Sequence, residues 1–222
     1  MNQFYTAESV TEGHPDKLCD IIADSVLDDC LGYDPFSRVA CEIMTTQGQI
    51  IAAGEITSHH SPDIPATVRS VLSEIGYDPK PYNIQCFFHE QSPDIADGID
   101  NPLEERTEHE DPPPIHLGAG DQGVMVGYAC DETRQLLPLT VVLARRLTNR
   151  LTAARKSGQL PFLRPGGKAQ GTVEYDGNGN PARLDTVVLS AQHDPDVPQD
   201  ELYWELTDKV LFPALKLLPP DE

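Results

Sequence analysis

Basic charge is scarce in this chain of 222 residues: 16 Lys and Arg stand against 36 Asp and Glu, a formal net charge of −20. A surface this negative repels phosphate backbones, which argues against general nucleic-acid binding. Any nucleotide bound here must have its charge met locally, by metal ions or by basic side chains. The same acidity also suits a protein kept soluble or adapted to high salt. Cysteine is sparse and unpatterned. Cys19, Cys30, Cys41, Cys86 and Cys130 are odd in number and hold no C-x-x-C pair, which excludes a disulfide framework and a zinc site and fits a reducing compartment. Long apolar runs are absent, so no segment approaches the ~20 residues of a membrane span. Asn2-Gln3 after Met1 offers neither the basic nor the apolar region of a secretory signal. These absences lead to the expectation of a soluble, cytoplasmic protein with no nucleic-acid or membrane partner.

What is present alternates between helical and strand periods. Residues 15–31 place Leu18, Ile21, Ile22, Ser25 and Val26 on one helical stripe. Strand-like runs follow at Arg38 to Thr46 and Gln49 to Thr57, joined by the tight turn Gln47-Gly48. Ile64, Val68, Val71, Leu72 and Ile75 have helix spacing and stop at Gly76, and Asn83 to His89 reads as a strand. From Ser92 to Leu117 periodicity disappears into prolines and the charged run Glu104 to Asp111, which reads as a linker or a lid. Val124 to Cys130 is strand-like, and Leu139 to Ser157 is helical. Ala169 to Tyr175 and Leu184 to His193 flank the turn Asp176-Gly177-Asn178-Gly179-Asn180, and Asp200 to Leu217 is a final helix with a bend expected at Pro213. Strand pairs with helices on one side predict an α+β layered architecture. The expected divisions are 1–101, a loop over 102–117, and 118–222.

Several residues invite a chemical reading beside a structural one. Glu12-Gly13-His14-Pro15-Asp16-Lys17 opens the first helix, where Pro and Asp suit the first turn anyway. A helix N-terminus also attracts anions, His14 can donate to developing negative charge, and Asp16 can hold Mg²⁺. Gly118-Ala119-Gly120-Asp121-Gln122-Gly123 matches the spacing of a dinucleotide fingerprint, but a proline-rich loop precedes it and a strand-like run follows. That context excludes a nicotinamide oxidoreductase reading and leaves a turn, plain or presenting Asp121. Lys168 follows Arg164-Pro165-Gly166-Gly167, a loop before a strand, and is either solvated or functional. Glu42 and Glu55 interrupt apolar strand runs. Buried, they need a cation or donors; solvent-facing, they mean nothing. His89, His109, His116 and His193 lack metal-ligand spacing and read as structural or surface residues.

In combination the motifs are more specific. Glu8 to Lys17, Val39 to Glu42, Gly54 to Thr57, Glu90-Gln91-Ser92-Pro93-Asp94-Ile95, Gly118 to Gly123 and Leu160 to Pro165 resemble the S-adenosylmethionine synthetases, in the same order and at similar spacing. The resemblance implies that family's layered fold of pseudo-repeated sheet-and-helix units. It implies methionine adenosyltransferase chemistry, in which the sulfur of L-methionine attacks C5′ of ATP and the triphosphate leaves, to be released as phosphate and diphosphate. A thioether needs no general base, so such catalysis must stabilise charge electrostatically. Carried over by motif, His14 faces the breaking bond, Asp16 binds Mg²⁺ and Lys168 contacts phosphates. Glu42 holds K⁺, while Glu55, Gln91 and Asp121 (Asp121 from a partner subunit) grip methionine. The loop after Gln91 becomes a lid, and sites form within a homodimer or a dimer of dimers.

Two departures accompany the resemblance. The family commonly has Asp where this chain has Gly166, removing a carboxylate that contacts the ATP ribose. Family members also continue well past this length, into a glycine-rich, lysine-bearing phosphate segment. The expectation is therefore of a fold incomplete at its C-terminus, whose full activity needs a C-terminal portion, supplied for example by a separate polypeptide. The alternative is a catalytically inactive binding or regulatory subunit that pairs with a full-length synthetase.

Overall fold

A computed structural model describes residues 3–92 and 123–216. Its elements run β1 (Gln3–Val10), α1 (Pro15–Tyr33), β2 (Arg38–Thr46), β3 (Gln49–Thr57), α2 (Ile64–Ile75), β4 (Asn83–His89), α3 (Leu139–Lys156), β5 (Leu163–Tyr175), β6 (Pro181–His193) and α4 (Gln199–Leu206). A π-helical segment Thr207–Leu211 leads into α5 (Phe212–Lys216). Two three-stranded sheets form, in the orders β1-β5-β6 and β2-β3-β4. The α+β expectation holds. By packing, the chain divides into one unit of Met1–Ile21, Leu72–Pro79 and Gly127–Glu222, and another of Ile22–Val71 and Lys80–Val126.

In the first unit β5 is the central strand, antiparallel to both neighbours. Along it burial alternates without a break, Leu163, Pro165, Gly167, Ala169, Gly171, Val173 and Tyr175 pointing inward. This is the period of two that a strand imposes when one face is covered. The cover is α3, whose Leu139, Leu143 and Leu147 pack with Ala169, Val173, Tyr175 and Ala214. Further along, Leu151 and Ala154 pack with Leu160, Leu163, Leu206 and Val210. Each fully buried leucine contributes about 1.5–3 kcal/mol. The entry to α3 is held by Glu132, whose Oε2 accepts from the Leu139 amide at 2.9 Å and from the Tyr175 hydroxyl at 2.6 Å.

In the second unit β2 and β3 form the expected hairpin, and β4 joins β3 in parallel. Ile22, Val26 and Cys30 of α1, Val68 of α2, and Ile50 and Ala52 of β3 are wholly buried.

Two expectations are corrected, and the irregularity expected near Pro213 is located. Val124 to Cys130 is not a strand. Its apolar residues Val124, Met125 and Val126 are almost fully exposed, and neither sheet of the described residues pairs with them. Lys168 does not precede a strand but lies within β5. Pro165 and Gly166-Gly167 look like breakers, yet they sit where the β5–β6 register is irregular, a place a central strand tolerates proline. The last helix is interrupted by the π segment just before Pro213. Proline lacks the amide that would bond to the Lys209 carbonyl, and Arg150 Nε donates to that oxygen instead, at 2.9 Å. Strand β1, which periodicity passes over, is a finding of the structure.

Candidate functional site

The residues singled out in the sequence fall into two groups, one in each unit. The first gathers where β1 runs into α1. Val10 is paired with Lys168 across the β1–β5 ladder. The Thr11 amide then donates to the Gly167 carbonyl at 2.9 Å, and its hydroxyl to the Pro165 carbonyl at 2.7 Å. Thr11 is buried, so these bonds lock the loop onto β5 out of competition with water. Gly13 follows in direct contact with Pro165. Glu12 turns the other way, its two oxygens accepting from Arg155 at 2.5 Å and Lys156 at 2.8 Å, in the last turn of α3.

His14 then caps α1. Its carbonyl accepts the first helical bond, from Leu18 at 2.8 Å, and its Nδ1 accepts the Asp16 amide at 3.2 Å. An accepting Nδ1 leaves the proton of the neutral ring on Nε2. Pro15 takes the first helical position and Asp16 the first turn, so the structural reading of this motif is realised in full. The Asp16 carboxylate, 3.7 Å from His14 Nδ1, is 86% exposed and free to meet a ligand. Lys168 emerges on the uncovered face of β5, its ammonium 2.5 Å from Glu8. The strings Glu12 to Lys17 and Arg164 to Lys168 are thus one structural object: a helix N-terminus, an imidazole, a carboxylate and a lysine carried on bonded segments.

The second group lies on the β2-β3-β4 sheet. Glu42 is opposite Ala53, and Glu55 is opposite Ala40 and beside His89. Both carboxylates share the face turned away from buried Ile50 and Ala52, together with Met44 and Phe87, each 59% exposed. In a single chain this face meets solvent. Glu55 accepts from or pairs with His89 Nε2 at 3.2 Å. Gln91 Oε1 accepts from Arg38 Nε at 3.2 Å, and its amide reaches Thr57 Oγ1 at 3.4 Å. Asp121 and the loop 102–117 lie outside the described residues.

The sequence reading missed several polar partners. Arg155, Lys156, Tyr77 and Gln192 brace the His14 loop, and nothing local in their surroundings marks them. Asp34 is a second omission. Its carboxylate accepts from the amides of His59 at 2.8 Å and Phe36 at 3.0 Å, which hold its pKa below the ordinary value. Asp34-Pro35 after a helix is a turn signal that could have found it. Among the described residues no three or more His, Cys, Asp or Glu gather closely enough to hold a metal by themselves. None of their helices is long and apolar enough to cross a membrane.

A family model for the N-terminal domain of S-adenosylmethionine synthetase matches residues 2–101, and one for the central domain matches residues 116–221. The S-adenosylmethionine synthase of Desulforudis audaxviator (strain MP104C) is 50% identical over 218 residues, covering 95% of this chain and 55% of that protein. The chain belongs to the S-adenosylmethionine synthetase family, and it spans about half the length of the curated relative it matches.

Proposed function

We propose that the chain contributes the N-terminal and central parts of a methionine adenosyltransferase site, forming S-adenosylmethionine from ATP and L-methionine with release of phosphate and diphosphate. The observation that carries this reading is the bonding of the His14 loop onto the strand that bears Lys168. It carries the His14 ring and Asp16 at the start of α1 and Lys168 on β5 in hydrogen-bonded segments; an N–H donor and an ammonium favour a leaving polyanion, and the carboxylate does so through a bound cation.

His14 donates through Nε2 to the charge that develops as the C5′–triphosphate bond breaks. Lys168 exchanges its Glu8 partner for phosphate oxygens. Mg²⁺ takes one or two carboxylates and completes its shell with phosphate oxygens and water, so Asp16, exposed and unencumbered, fits as its protein ligand. When bound, that ion offsets phosphate charge in an acidic protein. Glu42 would hold K⁺ with oxygens from a second chain laid across the open sheet face. Glu55 and Gln91, on that same unit, would bind the amino-acid end of methionine, with Asp121 from the partner subunit. A homodimer would cover the exposed Met44 and Phe87, apolar surface of the kind that marks an interface.

Lys168 is committed to Glu8, and position 166 carries no carboxylate. These two observations favour a second reading, an inactive binding or regulatory subunit that pairs with a full-length synthetase. One assay separates them. S-adenosylmethionine formation is measured with the 222-residue chain alone, and again with a polypeptide matching the part of the relative beyond the aligned region. Turnover in either arm supports the transferase. Methionine binding without turnover in both supports the subunit, and neither binding nor turnover overturns both.

A further inference from the structure

The loop that carries His14 is held at Thr11 by β5 and at Glu12 by α3, but the peptide next to His14 is held by something else. Helix α2 ends at Gly76, whose φ of 105° is open to glycine and strained for other residues. The Gly76 amide bonds to the Ser73 carbonyl at 3.1 Å and the Tyr77 amide to the Leu72 carbonyl at 2.8 Å, the paired closure of a Schellman cap. That cap sets the backbone from which the Tyr77 side chain departs. Its hydroxyl lies 2.8 Å from the Gly13 carbonyl oxygen and 3.1 Å from Gln192 Oε1, its single proton serving one acceptor at a time. Gln192 Oε1 in turn accepts the Gly166 amide at 3.1 Å.

The last bond follows from the irregular register. Leu163 pairs with His193 and Gly167 with Ala191, so three residues of β5 stand against one of β6. The extra residues lose ladder partners, and the Gly166 amide finds a side-chain acceptor in place of a backbone one. Gln192 is that one residue opposite. A Cβ on residue 166 would lie 2.9 Å from Gln192 Oε1 and 3.4 Å from the Tyr77 hydroxyl oxygen, so a side chain there must push the carboxamide away.

We propose that Tyr77 and Gln192 are positioning residues that hold the Gly13 peptide, and with it the His14 ring, relative to Lys168, and that Gly166 lacks a side chain so that this clamp can close. Neither residue touches the reacting atoms. Their effect passes through one peptide into the imidazole whose Nδ1 bonds to the Asp16 amide. The part of this inference that concerns turnover rests on the function proposed above; the part that concerns the His14 ring does not.

The test therefore has two readouts. In ¹⁵N-histidine-labelled protein, the His14 ring signals are those lost in His14→Ala. They should shift in Tyr77→Phe, Gln192→Ala and Gly166→Ala, and stay near their original positions in Gln192→Glu, which keeps an acceptor oxygen. In the activity assay, Tyr77→Phe and Gln192→Ala should lower kcat roughly 10- to 100-fold while leaving KM for methionine nearly unchanged. The double variant should be little worse than the poorer single one, because both break the same chain of bonds. His14 signals that stay put in all three disrupting variants, or losses that multiply in the double variant, would overturn the clamp. An unmutated protein that makes no S-adenosylmethionine in either arm of the assay above defeats the proposed reaction, and the ring signals then decide the clamp alone.

Discussion

Gly13 lies so close to Pro165 that a Cβ on residue 13 would stand 2.3 Å from the proline Cβ and 2.4 Å from its carbonyl carbon. Most of that obstruction is backbone and cannot rotate away. Gly13→Ala should therefore cost about 3 kcal/mol, the upper part of the range for overpacking a rigid contact. Gly32→Ala is the control. It lies in α1 with nothing within 4 Å of the added atom, and should be neutral or gain up to about 1 kcal/mol from helix propensity. Urea unfolding of both variants checks the contrast, and equal midpoints would contradict it.

His14→Ala removes a donor whose proposed contribution grows only as charge develops. The expected loss is about 2–4 kcal/mol of transition-state stabilisation, seen in kcat with little change in methionine affinity. Weakened methionine binding at an intact maximal rate would reassign the residue.

Glu12 meets Arg155 and Lys156 in a half-buried ion pair, between the surface and interior cases. Glu12→Gln should cost about 1–2 kcal/mol at low salt, and less at high salt, where the exposed Lys156 arm is screened. Unfolding midpoints at two ionic strengths measure this. An identical loss at both would show that the Arg155 contact alone supplies it.

Alkaline pH should loosen the second unit. Burial, and next the neighbouring Glu42, push the Cys41 thiol up to about 11 from an ordinary 9.0, and burial also raises Cys30 and Cys86. Between those values the unfolded chain has lost thiol protons that the folded chain keeps. Stability is therefore complete below the ordinary value and declines as pH rises through the folded one. Unfolding midpoints at about pH 8 and about pH 10.5 should differ, and Cys41→Ala should narrow the gap. A flat profile would mean that the thiols ionise as readily folded as unfolded.

The elements legible in the sequence are those whose periodicity reports their own covered face. The hairpin of Arg38–Thr46 and Gln49–Thr57, the strand Asn83–His89 and the helix Ile64–Ile75 appear where apolar spacing puts them. Gln3–Val10 was not legible, because each of its faces mixes aromatic or apolar residues with polar ones and its partner lies far along the chain. Lys168 was misplaced for a related reason. Pro165 and two glycines mimic a loop, and only the bonds from Thr11 reveal that they are strand. Of the site, the His14 motif and Lys168 could be named from the sequence, but their union could not. The bracing residues Arg155, Tyr77 and Gln192 are ordinary in their own neighbourhoods. Their roles exist only across long separations, where periodicity carries no information.

The bond from Thr11 to Pro165 spans 154 positions of sequence. During synthesis at about 5–20 residues per second, the N-terminal strand leaves the ribosome roughly 8–30 s before the strand that completes it. For that interval the first ten residues have no ladder to join, and the His14 motif has nothing to be pressed against. The helix of α1 can form early, yet the strand that its leading loop bonds to arrives late, with the hairpin of β5 and β6. Assembly of this loop thus waits on synthesis of the β5–β6 hairpin, and a nascent chain stalled before Pro165 would carry the motif without the strand it bonds to.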